Sequence, residues 1–242
     1  MFEHLPVLAP DPILGLSIAF KKDNNPAKID LGVGVYKDEQ GNTPILKAVV
    51  EAQKQLMETE KSKVYITPQG VQGFIDGMLQ LILGKANPVL LANRVAAVQA
   101  PGGCGALRIL AELLKRCDPD TKVWVSDPTW ANHIPLIGDA GLEIVTYPYF
   151  NKATASIKFD EMMSCLANAK KGDVVLLHGC CHNPTGADLT REQWQSLAKL
   201  ANEVGFLPFI DLAYQGFGDG LEDDAYGLRL MAESVPEMII AA

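Results

Sequence analysis

The sequence predicts an α/β fold, a mostly parallel sheet with helices on both faces. Three observations predict it. From about residue 94 onward, short apolar runs alternate with segments of helical period, the order that builds parallel sheets. Two of those runs, Val174 to His178 and Phe206 to Ile210, pass into polar residues at their C-terminal ends, where open α/β sheets build their sites. The run Gln99-Ala-Pro-Gly-Gly-Cys-Gly-Ala-Leu-Arg108 reads as a strand entering a glycine-rich turn and then a helix.

In chain order, Arg94 to Ala100 reads as a strand and Cys104 to Cys117 as a helix, with Leu107, Leu110, Ala111 and Leu114 on one face. Val123 to Ser126 is a strand and Trp130 to Ala140 is helix-like. Leu142 to Tyr147 is a strand, Phe159 to Ala169 a helix and Val174 to His178 a strand. Thr190 to Val204 is a helix opened by Thr190 with Gln193 three residues on, the spacing of a capping box. Phe206 to Ile210 and Met238 to Ala242 are the last strands. Residues 1–45 differ: Pro6, Pro10 and Pro12 precede a short helix-like stretch to Phe20, and Ile29 to Lys37 carries Gly32 and Gly34. They read as an N-terminal arm and a small-domain segment, and residues 46–242 as a large domain, expected to be incomplete at its C-terminal end.

Composition removes several function classes. The 242 residues suffice for a large core at 48% hydrophobic content. A net charge of -8 argues against nucleic acid and against an anionic membrane surface as partner. No apolar run approaches the ~20 residues that span a bilayer, and Met-Phe-Glu-His-Leu-Pro lacks the basic start of a secretory signal. Five cysteines without a Cys-x-x-Cys pair fit free thiols in a reducing cytoplasm. His178, Cys180, Cys181 and His182 are too close together to converge on one tetrahedral metal ion, so no metal is expected.

The glycine turn at Gly103 and Cys104 lets backbone N–H groups approach an anion at a helix N-terminus, although a plain βα turn looks the same. It lacks both the dinucleotide fingerprint and the P-loop lysine, which counts against a nicotinamide dehydrogenase. Asp211 ends an apolar strand, where an unpaired acid is costly. It reads as a cap, as an ion pair, or as the partner of a protonated ring nitrogen. Tyr214 follows three residues on, and Asn183 precedes Pro184, as in many turns. Trp130, after Asp127-Pro-Thr, is a packing residue or a ring-stacking one. His133 follows one turn later, Tyr65 sits in a Pro/Gly loop, and Gly34 permits close backbone approach or a bulge.

These motifs, colinear from Gly32 to Ala242, together resemble the pyridoxal 5'-phosphate (PLP) aminotransferases of the aspartate and aromatic amino acid group. The resemblance implies a fold-type I PLP-transferase, a cytoplasmic homodimer with a shared active site, and amino acid and 2-oxo acid substrates. The implied reaction is transamination between an acidic or aromatic L-amino acid, aspartate foremost, and 2-oxoglutarate. It assigns the PLP phosphate to Gly103 and Cys104 and, from the neighbouring subunit, to Tyr65. Cys104 stands where members of that family usually carry Ser or Thr, and a thiol donates weakly. It assigns the ring nitrogen to Asp211 with His133 behind it, the phenolate oxygen to Asn183 and Tyr214, and the ring face to Trp130. Gly34, Trp130 and Asn183 would meet the substrate. The family's Schiff-base lysine is expected just after Ala242, since neither Lys171 nor Lys199 has its context, so no catalytic residue is assigned within the chain. The alternatives are a non-catalytic PLP-binding fragment and a PLP-dependent lyase or decarboxylase of the same fold.

Overall fold

The structure is a computed structural model that describes residues 2–4, 12–29 and 34–242. Pro6, Pro10 and Gly32 lie outside the described residues. Internal contacts divide the chain after Val64 into two units.

The first unit contains a 3-10 turn at Phe2–His4 and the helices α1 (Pro12–Lys22) and α2 (Lys47–Thr59). Lys28 closes the end of α1 by donating its Nζ to the Phe20 and Asp23 carbonyls at 2.6 and 2.7 Å, the usual use of a cation at a helix C-terminus. Asp38 shapes the next turn by accepting the N–H groups of Gln40 and Asn42.

The second unit runs α3 (Gln72–Leu83), α4 (Pro88–Leu91), α5 (Gly102–Cys117), β1 (Lys122–Asp127), α6 (His133–Gly138) and β2 (Glu143–Pro148). A hairpin of β3 (Phe150–Asn151) and β4 (Ser156–Ile157) leads to α7 (Phe159–Leu166) and β5 (Val174–His178). Then come α8 (Arg191–Val204), β6 (Leu207–Asp211), α9 (Tyr226–Ser234) and β7 (Ile239–Ala241). The five main strands form one parallel sheet in the order β2-β1-β5-β6-β7. The chain therefore leaves β2 on one side of β1 and returns through α7 to β5 on the other, which creates a switch point between β1 and β5.

Both faces of the sheet are covered, and the side chains alternate between them with period 2. Val123, Val125, Val174, Leu176 and Phe209 pack with Leu107, Ala111 and Leu114 of α5 and Ile137 of α6. Trp124, Val175, Leu177 and Ile210 pack with Met162, Leu166, Trp194, Leu197, Leu228 and Met231 from α7, α8 and α9. At the α8–α9 contact Gly227 is required: a Cβ there would stand 2.2 Å from Trp194 Cε2.

The capping box of α8 is present, with Thr190 Oγ1 accepting from the Gln193 N–H and Gln193 Oε1 accepting from the Thr190 N–H. Arg94 to Ala100 is not a strand. Gln99 donates its N–H to the Gln69 carbonyl at 2.8 Å and Arg94 its N–H to the Val89 carbonyl at 3.0 Å, and an apolar run without a neighbouring ladder stays extended coil. The helix expected over Trp130 to Ala140 is confined to α6, because the residues from Trp130 to Asn132 form the turn that enters it.

Candidate active site

A small cleft of about 90 Å³ opens at the C-terminal ends of the sheet, lined by Gly103, Trp130, Asn183, Asp211 and Tyr214 together with His178 and Cys180. Five residues from four separate sequence segments thus share one cavity. The fold places them there. Gly103 lies in the first turn of α5, Trp130 follows β1, Asn183 follows β5, Asp211 ends β6, and Tyr214 lies in the loop after it.

Gly103 leaves open space where a Cβ would stand, beside the free N–H groups of the α5 N-terminus, a setting that favours an anion. Trp130 meets His133 edge-on, with ring centroids 5.3 Å apart at 87°. The Asn183 side-chain amide has no hydrogen-bond partner among the described residues, and Tyr214 is 37% exposed. Both can therefore serve a ligand.

Asp211 is the best-anchored group. Its Oδ2 lies 2.9 Å from Nε2 of His133, which is fully buried. His133 Nδ1 lies 2.8 Å from Thr129 Oγ1, and that hydroxyl lies 3.1 Å from His178 Nε2. For a neutral His133 beside an ionised Asp211 the polarity is fixed. His178 Nε2–H donates to Thr129, the Thr129 hydroxyl donates to His133 Nδ1, and His133 Nε2–H donates to Asp211. Burial, with His182 and His133 nearby, holds His178 well below the usual histidine range, so it stays neutral at pH 7. His182 continues the layer. Its ring lies 4.0 Å from that of His178 and stacks on Tyr149 at 4.1 Å, and its Nε2 lies 3.0 Å from Ser126 Oγ. Burial pushes His182 down to about 4, against the opposing effect of a backbone hydrogen bond.

Two of the expected site residues of the second unit do not line the cleft. Cys104 is exposed beside Gly103 and does not line the cleft. Tyr65 opens the second unit, is fully exposed, and lies outside the cleft. Gly34 belongs to the first unit and is exposed. No lysine lines the cleft: Lys199 faces Glu203 at 3.7 Å on α8, and Lys171 packs beside Gly205. Among the described residues no group of three or more His, Cys, Asp or Glu side chains is placed to hold a metal, and no helix is long and apolar enough to cross a membrane. Sequence reading missed the working positions of Thr129 and His178. The available signal for His178 was a polar residue closing the apolar run of β5.

The sequence profile of the family described as aminotransferase class I and II matches residues 26–242. The chain is 48% identical to the aspartate aminotransferase of Haemophilus influenzae and 50% identical to the aromatic-amino-acid aminotransferase of Paracoccus denitrificans. Each match takes in the whole chain and 61% of the relative, so the chain spans less than two thirds of their length. Among solved structures, an aromatic amino acid aminotransferase with 3-indolebutyric acid superposes with a TM-score of 0.95 at 50% identity, over all of this chain and 61% of that one. The aromatic-amino-acid aminotransferase of Burkholderia pseudomallei, covalently bound to pyridoxal phosphate, matches with a TM-score of 0.95 at 41% identity, over 99% of this chain and 60% of that one. The fold is therefore that of the fold-type I aminotransferases, and the chain belongs to the class I and II aminotransferase family.

Proposed function

We propose that the protein carrying this chain is a PLP-dependent aminotransferase that exchanges an amino group between an acidic or aromatic L-amino acid and 2-oxoglutarate, in the cytoplasm, as a homodimer. The observation that carries this reading is Asp211, paired with the buried His133, in one cleft with Asn183, Tyr214, Trp130 and Gly103.

The donor set fits the cofactor. An anion at the pairing distance of a buried imidazole suits a protonated ring nitrogen, and two free donors suit an anionic oxygen. An apolar ring offers a stacking face, and an open helix N-terminus suits a phosphate. When bound, PLP supplies an electron sink. Asp211 would hold a proton on the ring nitrogen, and the hydrogen bond from His133 keeps that carboxylate oriented. Asn183 and Tyr214 would donate to the phenolate oxygen, and Trp130 would cover one ring face and exclude water. Gly103 would bring backbone N–H groups to the phosphate. Relatives carry both aspartate and aromatic names, which supports a substrate class broad enough for both.

Titration with PLP tests the reading. The wild-type chain is expected to bind with a visible absorbance change, and Asp211→Ala to weaken binding at least about tenfold, the loss of one charge-assisted hydrogen bond. Equal binding by both would overturn it. For the intact protein, amino-group transfer from aspartate or phenylalanine to 2-oxoglutarate is the expected activity, and failure with either donor would remove that substrate from the proposal.

A further inference from the structure

Asn183 and Tyr214 reach the cleft from two loops, and each loop is gathered by a carboxylate that does not line the cleft. The first loop leaves β5 at His178 and enters α8 at Arg191. Asp188 folds back within it. Its Oδ2 accepts the Cys181 N–H at 2.6 Å and its Oδ1 accepts the His182 N–H at 2.8 Å. These are the two residues that immediately precede Asn183. Cys181 holds a φ of 48°, a left-handed conformation that a non-glycine residue keeps only where its surroundings impose it. A carboxylate taking two successive N–H groups is such a constraint, and its bonds are charge-assisted.

The second loop leaves β6 at Asp211 and enters α9 at Tyr226. Here Asp224, only 6% exposed, accepts the N–H groups of Gly216, Gly218 and Asp219 at 2.7, 3.0 and 2.7 Å. The Phe217 N–H returns to the Tyr214 carbonyl at 3.0 Å, so the turn that Asp224 gathers is the one that closes on Tyr214. Burial alone would raise the Asp224 carboxyl. The N–H groups of Gly218, Asp219, Gly216 and Gly220 outweigh it and leave the group below its ordinary value. The two loops also touch, since Cys181 Sγ lies 3.3 Å from the position a Gly218 Cβ would take.

Two donors from different strands can meet one acceptor atom only if both loops are held to about half an ångström. We propose that Asp188 and Asp224 are positioning residues, which fix Asn183 and Tyr214 on a common point by collecting the backbone N–H groups of their loops. The proposal rests on the PLP reading for the identity of the acceptor, an anionic ring oxygen, and on the geometry alone for the positioning.

The test uses Asp188→Asn and Asp224→Asn, with Asp223→Asn as the control, because Asp223 is an exposed neighbour held by Arg191 at 2.5 Å. Without cofactor, amide exchange at Cys181 and His182 in D188N, and at Gly216 and Gly218 in D224N, is expected to rise about tenfold, as loss of a bond to a charged acceptor requires. The Asn183 side-chain amide resonances are expected to shift in D188N and the Tyr214 ring resonances in D224N. With PLP bound, the pH midpoint of the visible absorbance is expected to move upward by about half a unit or more, because misplaced donors stabilise the anionic oxygen less. D223N should change none of these.

Folded variants with wild-type exchange, resonances and midpoint would overturn the proposal. A lower melting temperature with unmoved Asn183 and Tyr214 signals would overturn it equally. If wild type binds no PLP, the cofactor reading fails, and the exchange and resonance data alone decide the positioning. D188N alters only an exposed side chain, so it decides the first loop even where D224N does not fold, and Asp224→Glu then decides the second.

Discussion

At the residue scale, the site depends on groups kept in one protonation state by burial. His182 is 2% exposed and takes a proton near pH 4 when folded, against 6.5 when free. Between those values the unfolded chain binds the extra proton, so stability rises with pH through that window. It is full above about 6.5 and falls as the pH drops towards 4, by about 3 kcal/mol at most. His178 acts in the same direction, since burial holds it low too. Urea midpoints of wild type and His182→Gln at pH 4.5 and 7.5 check this: the difference between the two pH values should shrink in the variant. An unchanged difference would assign the acid sensitivity elsewhere. Gly103 offers a second residue-level test. Open space at its Cβ position means that Gly103→Ala should leave the melting temperature equal or slightly higher, since alanine favours a helix. Under the proposed function the same methyl group should obstruct the phosphate and raise the Kd for PLP several-fold by calorimetry. The residues of the cleft were legible to different degrees. Asp211, Asn183 and Tyr214 stand out as polar groups after apolar strands. The link from His133 to Asp211 crosses 78 positions and came only from resemblance, because no spacing rule connects such distant residues.

At the element scale, the strands that build the site were legible because they are short, apolar and bounded. Val174–His178 has the boundaries its run suggests, and the capping box of α8 is where Thr190 and Gln193 put it. Removing the cap by Thr190→Ala should cost about 1 kcal/mol, read as a lower urea midpoint with an unchanged slope. Other elements were not legible, for physical reasons. The β3–β4 hairpin has two residues per strand, too few for alternation to register. Arg94 to Ala100 has the composition of a strand, but pairing, not composition, makes one. The packing of α9 on α8 is equally invisible in sequence, since it rests on Gly227 facing Trp194. Gly227→Ala forces a methyl group against a buried indole, and overpacking of this kind costs about 1–3 kcal/mol. Thermal unfolding of the variant should show that loss, and a wild-type melting temperature would mean that the two helices separate freely.

At the scale of the whole molecule, the cleft poses a question of completeness. Its lining holds groups suited to the nitrogen, oxygen and ring face of the cofactor, yet Tyr65 lies outside it and is fully exposed. An exposed tyrosine in a Pro/Gly loop gains nothing from burial, and the family resemblance assigns its hydroxyl to the phosphate of a second copy, an assignment we propose alongside the function above. That claim can be separated from a contact within one chain. Under that proposal Tyr65→Ala and Asp211→Ala should each weaken PLP binding at every site of a symmetric dimer. When the two variants are unfolded, mixed in equal amounts and refolded, half of the dimers are hybrids by chance. In a hybrid, one site collects both defects and the other collects neither if Tyr65 acts across the interface. High-affinity PLP binding should then return to about a quarter of all sites, since each hybrid has one intact site of two. If Tyr65 acts within its own chain, every site keeps one defect and mixing restores nothing. A PLP titration of the mixture against each variant alone reads the difference directly, and a flat result would withdraw Tyr65 from the shared site while leaving the assignments of Asp211, Asn183 and Tyr214 intact.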